Sequence, residues 1–171
     1  MNLNQVSVYL SLGSNMGSRE ENLKKALGFL SETTQLEKLS SVYDTAPVGN
    51  ENQPRFLNMV CRVSTTLQPE MLLATVKDIE SKLGRLPKTH NLPRPIDIDI
   101  LFYGDHVIST PDIVIPHPRL QERAFVLIPL TEIAPDLVHP VNKHTVMAPL
   151  KSVSKKGVIL SGKIGGIKCT K

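Results

Sequence analysis

No stretch of this sequence approaches the roughly 18 consecutive apolar residues that a membrane-spanning helix needs. Its first residues lack the basic segment and apolar run of a secretory leader, so the expected location is the cytosol. Cysteine is nearly missing. Cys61 sits in an apolar run and Cys169 near the end, too few for a disulfide framework and without metal-ligand spacing. Tryptophan is absent, and so is any Walker sequence, which excludes a P-loop as the means of holding nucleotide phosphates. Acidic side chains are missing from residues 151–171, which hold six of the 20 basic residues, so the preceding 150 are slightly acidic. The net charge of +4 is therefore a property of the tail. That placement argues against a broad nucleic-acid face, and a protein that did bind nucleic acid through these lysines would show salt-sensitive binding.

What is present fits one compact domain. Hydrophobic residues make up 40% of the 171 and charged residues 21%, enough for a working core. Val6 to Leu12 reads as a buried strand stopped by Gly13 and Asn15. Ser18 and Glu21 have the spacing of a capping box, and Leu23, Ala26, Leu27 and Leu30 repeat with helical period behind them. Leu36 to Val42 reads as a second strand, Thr45 to Pro54 as a long loop and Phe56 to Thr66 as a third strand. Pro69 opens a second helix whose apolar face is Leu72, Leu73, Val76, Ile79 and Leu83, with Gly84 as its stop. A proline-containing loop leads to a fourth strand, Ile96 to Tyr103. The order strand, helix, strand, strand, helix, strand predicts an α+β, ferredoxin-like fold: a mainly antiparallel sheet with helices packed on it and a C-terminal extension. Beyond it, residues 111–118 read as extended and 122–133 as partly helical.

The sharpest chemical signal is Pro95-Ile96-Asp97-Ile98-Asp99-Ile100-Leu101. Strand alternation puts both aspartates on one face and the isoleucines on the other. Two like charges beside an apolar core repel unless a cation lies between them, and Mg²⁺, with its preference for carboxylate and phosphate oxygens, suits the spacing. A bare Asp-x-Asp is also compatible with an ordinary amphipathic strand. Arg94, Arg85 and Lys88 just upstream favour a phosphate site, because guanidinium groups bind phosphate oxygens in pairs and offset charge that develops in phosphoryl transfer.

Several ordered motifs resemble the 6-hydroxymethyl-7,8-dihydropterin pyrophosphokinase family. They are Ser11-Leu12-Gly13-Ser14-Asn15-Met16-Gly17, Tyr43-Asp44-Thr45-Ala46-Pro47-Val48-Gly49, Gln53-Pro54-Arg55-Phe56-Leu57-Asn58, the Asp97/Asp99 strand, Ile115-Pro116-His117-Pro118-Arg119 and Glu122-Arg123-Ala124-Phe125-Val126-Leu127. Their order over about residues 6–140 gives weight that none has alone. The resemblance implies transfer of pyrophosphate from ATP to the pterin hydroxymethyl group, with release of AMP, in folate biosynthesis. It implies two Mg²⁺ ions on Asp97 and Asp99, and Arg85, Arg94, His117 and Arg123 on the nucleotide, with Arg85, Arg94 and the two aspartates catalytic. For the pterin it implies Asn58 on the polar edge, Phe56 and Phe125 stacked on the two faces, and backbone groups near Thr45 and Val48. From the residues alone, Phe56 and Phe125 would read as core, His117 equally as a surface imidazole, and Glu80 as the partner of a loop arginine or of a helix neighbour.

The chain departs from the family pattern in the loop before the aspartates, where His90-Asn91-Leu92-Pro93-Arg94 replaces a tryptophan-containing stretch and one residue is missing. A binding module without turnover is the rival reading that this divergence raises. Residues 1–150 read as the catalytic domain and 151–171 as a basic tail whose glycines oppose an amphipathic helix. That tail is expected to be passive, whether flexible, a small added strand, or the remnant of a join to another folate-pathway enzyme. A monomer is expected, with no membrane or nucleic-acid partner.

Overall fold

The computed structural model describes residues 4–170. Strand β1 (Val6–Ser14) leads to helix α1 (Arg19–Thr33), then β2 (Gln35–Leu39), β3 (Val42–Thr45), β4 (Phe56–Thr65), α2 (Pro69–Lys82) and β5 (Asp97–Tyr103). A short hairpin, β6 (Ile108–Ser109) and β7 (Val114–Ile115), follows, then a 3₁₀ turn, α3 (Ala124–Ile133), α4 (Met147–Leu150) and β8 (Val158–Gly162). The main sheet runs β5-β1-β4-β3-β8, with β2 also on β4 and every pairing antiparallel. This is the ferredoxin-like arrangement, with β1 and β4 at the centre.

Both faces of the sheet are covered. On one, Leu23, Leu27 and Leu30 of α1 and Leu72, Val76 and Ile79 of α2 pack on Val8, Leu10 and Leu12 of β1, Met59 and Cys61 of β4, and Ile98 and Ile100 of β5. Burying each such side chain contributes about 1.5–3 kcal/mol, which makes this cluster the main stabilising element. On the other face Val126, Leu127 and Leu130 of α3 cover Tyr9, Val60, Leu101 and Phe102.

Three local expectations need correction. The strand expected over 36–42 is two, because at Ser41 the backbone N–H leaves the ladder to donate to the Glu132 carboxylate at 3.0 Å. Ser18 stands at the N-cap of α1 but makes no side-chain cap bond. Asn22 binds the preceding loop instead, donating through Nδ2 to the Met16 carbonyl at 2.9 Å and to Ser14 Oγ at 3.3 Å. In β5 the alternation breaks at Leu101, since Leu10 pairs with Ile100 while Tyr9 pairs with Phe102. This bulge keeps Asp97, Asp99 and Leu101 on the α3 face and turns Phe102 onto it as well.

The tail takes the added-strand form. Its strand β8 pairs with β3, Thr45 opposite Val158 and Asp44 opposite Ile159, and Thr170 donates its backbone N–H to the Leu36 carbonyl at 2.8 Å.

Candidate active site

Strand register builds the site as rows across the sheet. Asp97 on β5 lies opposite Gly13 on β1, and Gly13 lies opposite Asn58 on β4. In the next row Asp99 opposes Ser11 and Ser11 opposes Val60. With strands about 4.8 Å apart, the carboxylate and the carboxamide stand roughly 10 Å from each other. Gly13 is the gap between them: a Cβ there would meet Asn58 Oδ1 at 2.5 Å. Above these rows opens a cavity of about 420 Å³. Of the residues singled out from the sequence, Thr45, Val48, Phe56, Asn58, Arg85, Arg94, Asp97, Asp99, His117, Arg123 and Phe125 border it, while Lys88 and Glu80 do not.

One end of this cavity presents a carboxamide and two aromatic rings. Asn58 is buried and donates through Nδ2 to Thr45 Oγ1 at 2.7 Å, which fixes the carboxamide and leaves its oxygen directed over Gly13. Phe56 and Phe125 stand nearby, each faced by a guanidinium, Arg94 at 4.9 Å from the Phe56 centroid and Arg123 at 5.7 Å from that of Phe125. Val48 is 58% exposed on the loop above.

The other end is a charge network. Arg85 bridges Glu80 and Asp97 through Nη1, and Arg94 Nη2 reaches the second Asp97 oxygen at 3.0 Å. Burial works against ionisation of Asp97, but the Arg94 and Arg85 charges outweigh it and hold this carboxyl below the usual range. Asp99 goes the other way. Burial, then repulsion by Asp97, raise its pKa, and the side-chain nitrogens facing it are Arg123 Nη1 at 3.9 Å and His117 Nε2 at 4.0 Å. Among the described residues no donor makes a hydrogen bond to the Asp99 carboxylate. His117 is pushed down to about 4 by burial and by the Arg123 charge, so its ring is neutral at pH 7. Its Nδ1 accepts from the Arg119 backbone N–H at 3.2 Å, which places the ring proton on Nε2, toward Asp99.

Glu80 serves as the hub behind this network. Only 3% exposed, it accepts from Arg85 at 2.8 Å, from Lys77 Nζ at 3.1 Å and from the Ile98 backbone N–H at 2.8 Å. Of the two roles open from sequence it therefore fills both. Sequence reasoning missed Lys77 and Arg119, which also border the cavity, and the full role of Gly13 and Asn15. Asn15 Oδ1 accepts from the Arg94 backbone N–H at 2.9 Å, while its Nδ2 donates to Gln53 Oε1 and the Pro54 carbonyl, both at 3.0 Å. One buried side chain thus ties β1 to both flanking loops. Its place in the first motif was the available signal; the contacts depend on register and loop paths.

Residues 9–135 match the sequence model of the 7,8-dihydro-6-hydroxymethylpterin-pyrophosphokinase (HPPK) family. The chain belongs to that family. It is 42% identical over 153 residues to an Aquifex aeolicus 2-amino-4-hydroxy-6-hydroxymethyldihydropteridine pyrophosphokinase, covering 90% of this chain and 93% of that protein. It is 44% identical over 148 residues to a Pneumocystis carinii folic acid synthesis protein, where the match spans 86% of this chain but only 20% of the longer relative. A crystal structure of Plasmodium falciparum HPPK-DHPS superposes with a TM-score of 0.72 at 16% identity, covering 86% of this chain and 45% of that one. The last likeness concerns the fold. The ordered motifs converge on one cavity, where residues from β1, β3, β4, β5 and three loops meet.

Proposed function

We infer that this chain transfers a pyrophosphate group from ATP to the hydroxymethyl group of 7,8-dihydro-6-hydroxymethylpterin, releasing AMP, as a step in folate synthesis. Family membership and the names of its close relatives support the reaction class. The observation that carries the assignment to residues is a single cavity. It joins an amide-and-aromatic end, suited to a flat heterocycle, to a carboxylate-and-arginine end, suited to a polyphosphate, with only Gly13 between.

In this reading Asn58, held by Thr45, presents its carboxamide to the pterin edge, and Phe56 and Phe125 offer their ring faces once Arg94 and Arg123 turn to phosphate. Arg85 and Arg94 hold Asp97 through charge-assisted bonds that they can trade for phosphate oxygens when that carboxylate is otherwise neutralised. Arg123 adds charge beside Asp99, and neutral His117 offers Nε2–H as a donor.

The donor set fits Mg²⁺, because two oxygen-only ligands face one way and Asp99 has no close partner. Among the described residues no group of three or more His, Cys, Asp or Glu is arranged to hold a metal, so phosphate oxygens and water would complete the coordination of the two ions proposed. Mg²⁺ when bound neutralises charge on the transferring phosphate groups. Catalysis by the protein itself is then positioning and electrostatics, without an assigned general base.

Product analysis tests the proposal. Incubation with ATP, Mg²⁺ and the reduced pterin should give AMP and the pterin diphosphate, and EDTA should stop it. ADP as product would refute pyrophosphoryl transfer. Binding of both ligands without product would favour a module disabled by its diverged 85–94 loop.

A further inference from the structure

The loop from Ala46 to Arg55 roofs the amide end of the cavity, and its two stems converge on one atom outside the cavity. The Gly157 carbonyl accepts from the Ala46 backbone N–H at 3.0 Å and from Arg55 Nη2 at 2.9 Å. Arg55 is aimed there by Asp44, which takes its Nε through the side chain and its Nη2 through the main-chain carbonyl at 3.1 Å. Arg19 Nη1 closes the group, donating to Asp44 Oδ2 at 3.2 Å and to the Arg55 carbonyl at 3.0 Å. The pairing of Val158 with Thr45 brings Gly157 to this point. Thr45 in turn holds Asn58.

Two features single out glycine at position 157. Its φ is +77°, and a Cβ would lie 2.9 Å from that of Ala46. The approach is too close for any side chain.

We propose that the C-terminal segment is a positioning element for substrate recognition, in which the Gly157 carbonyl clamps both stems of the 46–55 loop and so sets affinity for the heterocycle. This deepens the pterin reading above and rests on it. The tail is then not the passive extension expected from sequence. A segment that only capped the β3 edge would affect stability without separating pterin recognition from nucleotide recognition.

Steady-state kinetics and thermal unfolding of full-length variants decide the matter. Gly157→Ala should raise the pterin KM about tenfold while kcat and the ATP KM stay within about twofold, the pattern of lost binding rather than lost chemistry. Adding Ala46→Gly to that variant removes the Cβ contact and should bring the pterin KM back to within about threefold of wild type. Ile167→Ala loosens the tail where it packs on the helix-side core, far from the loop in register, and should lower Tm with the pterin KM unchanged. Arg55→Lys keeps a cation beside Asp44 but loses the Gly157 bond, and should raise the pterin KM without Gly157 being altered. An unchanged pterin KM in Gly157→Ala, or equal increases in Gly157→Ala and Ile167→Ala, would overturn the proposal. Should Gly157→Ala fail to fold, an unchanged KM in Arg55→Lys overturns it instead. Wild-type protein that neither binds nor converts the pterin would refute the functional reading itself, before any variant is compared.

Discussion

Replacing Gly13 by alanine should damage pterin recognition and stability together, through one atom. The new Cβ would stand 2.5 Å from Asn58 Oδ1, well inside carbon–oxygen contact, with Phe56 Cδ1 at 3.6 Å. Asn58 has little room to retreat, since it is 5% exposed and bound to Thr45 Oγ1 at 2.7 Å. Turning the carboxamide sacrifices that bond, leaving a buried polar group unsatisfied at a cost of about 1–3 kcal/mol, and an off-rotamer side chain adds about 0.5–1.5 kcal/mol. Removing glycine restrains the unfolded chain and returns about 0.4–1 kcal/mol. The net expectation is a loss of about 1–3 kcal/mol, read from urea unfolding at constant m. Pterin should lose one or two oriented hydrogen bonds, a weakening of roughly 10- to 100-fold at 1.4 kcal/mol per factor of ten, measured by calorimetry. ATP-analogue affinity should hardly change, because the phosphate end is in place. Gly28→Ala is the control: a Cβ at this position on α1 would meet nothing within 4 Å, so the substitution should stabilise by about 0.5–1 kcal/mol. A Gly13→Ala protein that binds pterin like wild type and unfolds at the same urea concentration would refute the argument.

Other outcomes follow from the charge network. Asp97→Ala and Asp99→Ala should each nearly abolish turnover, and Mg²⁺-dependent activity surviving in both would sink the metal assignment. Asp99→Asn should also abolish turnover yet leave the ligand-free protein at least as stable, because the raised Asp99 pKa means that stability is lost as pH rises from the ordinary value of 3.8 through the folded one. Asp97 has the opposite sign, its contribution being present above 3.8 and lost as pH falls below, so Asp97→Asn should flatten the acid limb of a stability–pH curve. For His117 the folded pKa of about 4 lies below 6.5, so stability should fall as pH drops across that interval, and His117→Gln should remove the slope. An NMR titration placing the His117 pKa above 7 would contradict its neutral-donor role, and one near 6.5 would contradict the expected stability slope. Hydrogen exchange should show residues 13–18, 45–54 and 85–93 protected by ATP analogue plus pterin; equal protection in both states would count against loop closure.

Much of the molecule was legible along the chain. The helical period of Leu23, Ala26, Leu27 and Leu30, the proline opening α2 and the Asp97/Asp99 alternation are local, and local geometry follows from residue type. The order of elements then narrowed the sheet to the antiparallel topology observed. Other features depend on residues distant in sequence. The break at Ser41 answers to Glu132, the bulge at Leu101 to the β1 register, and the roles of Gly13, Asn15 and Gly157 to what stands opposite them. Composition left the tail open between a flexible segment, an added strand and the remnant of a join, because pairing at a strand edge leaves no mark on residue type. Strand alternation along the chain was enough to put two carboxylates on one face with arginines upstream, whereas Asn58, Phe56 and Phe125 stood out only through the family resemblance. That Glu80 aims Arg85, that His117 stays neutral and that the Asp97 and Asp99 pKa values shift in opposite directions follows from the folded arrangement alone. Burial and charge at a few ångströms are set by neighbours that the linear order does not reveal.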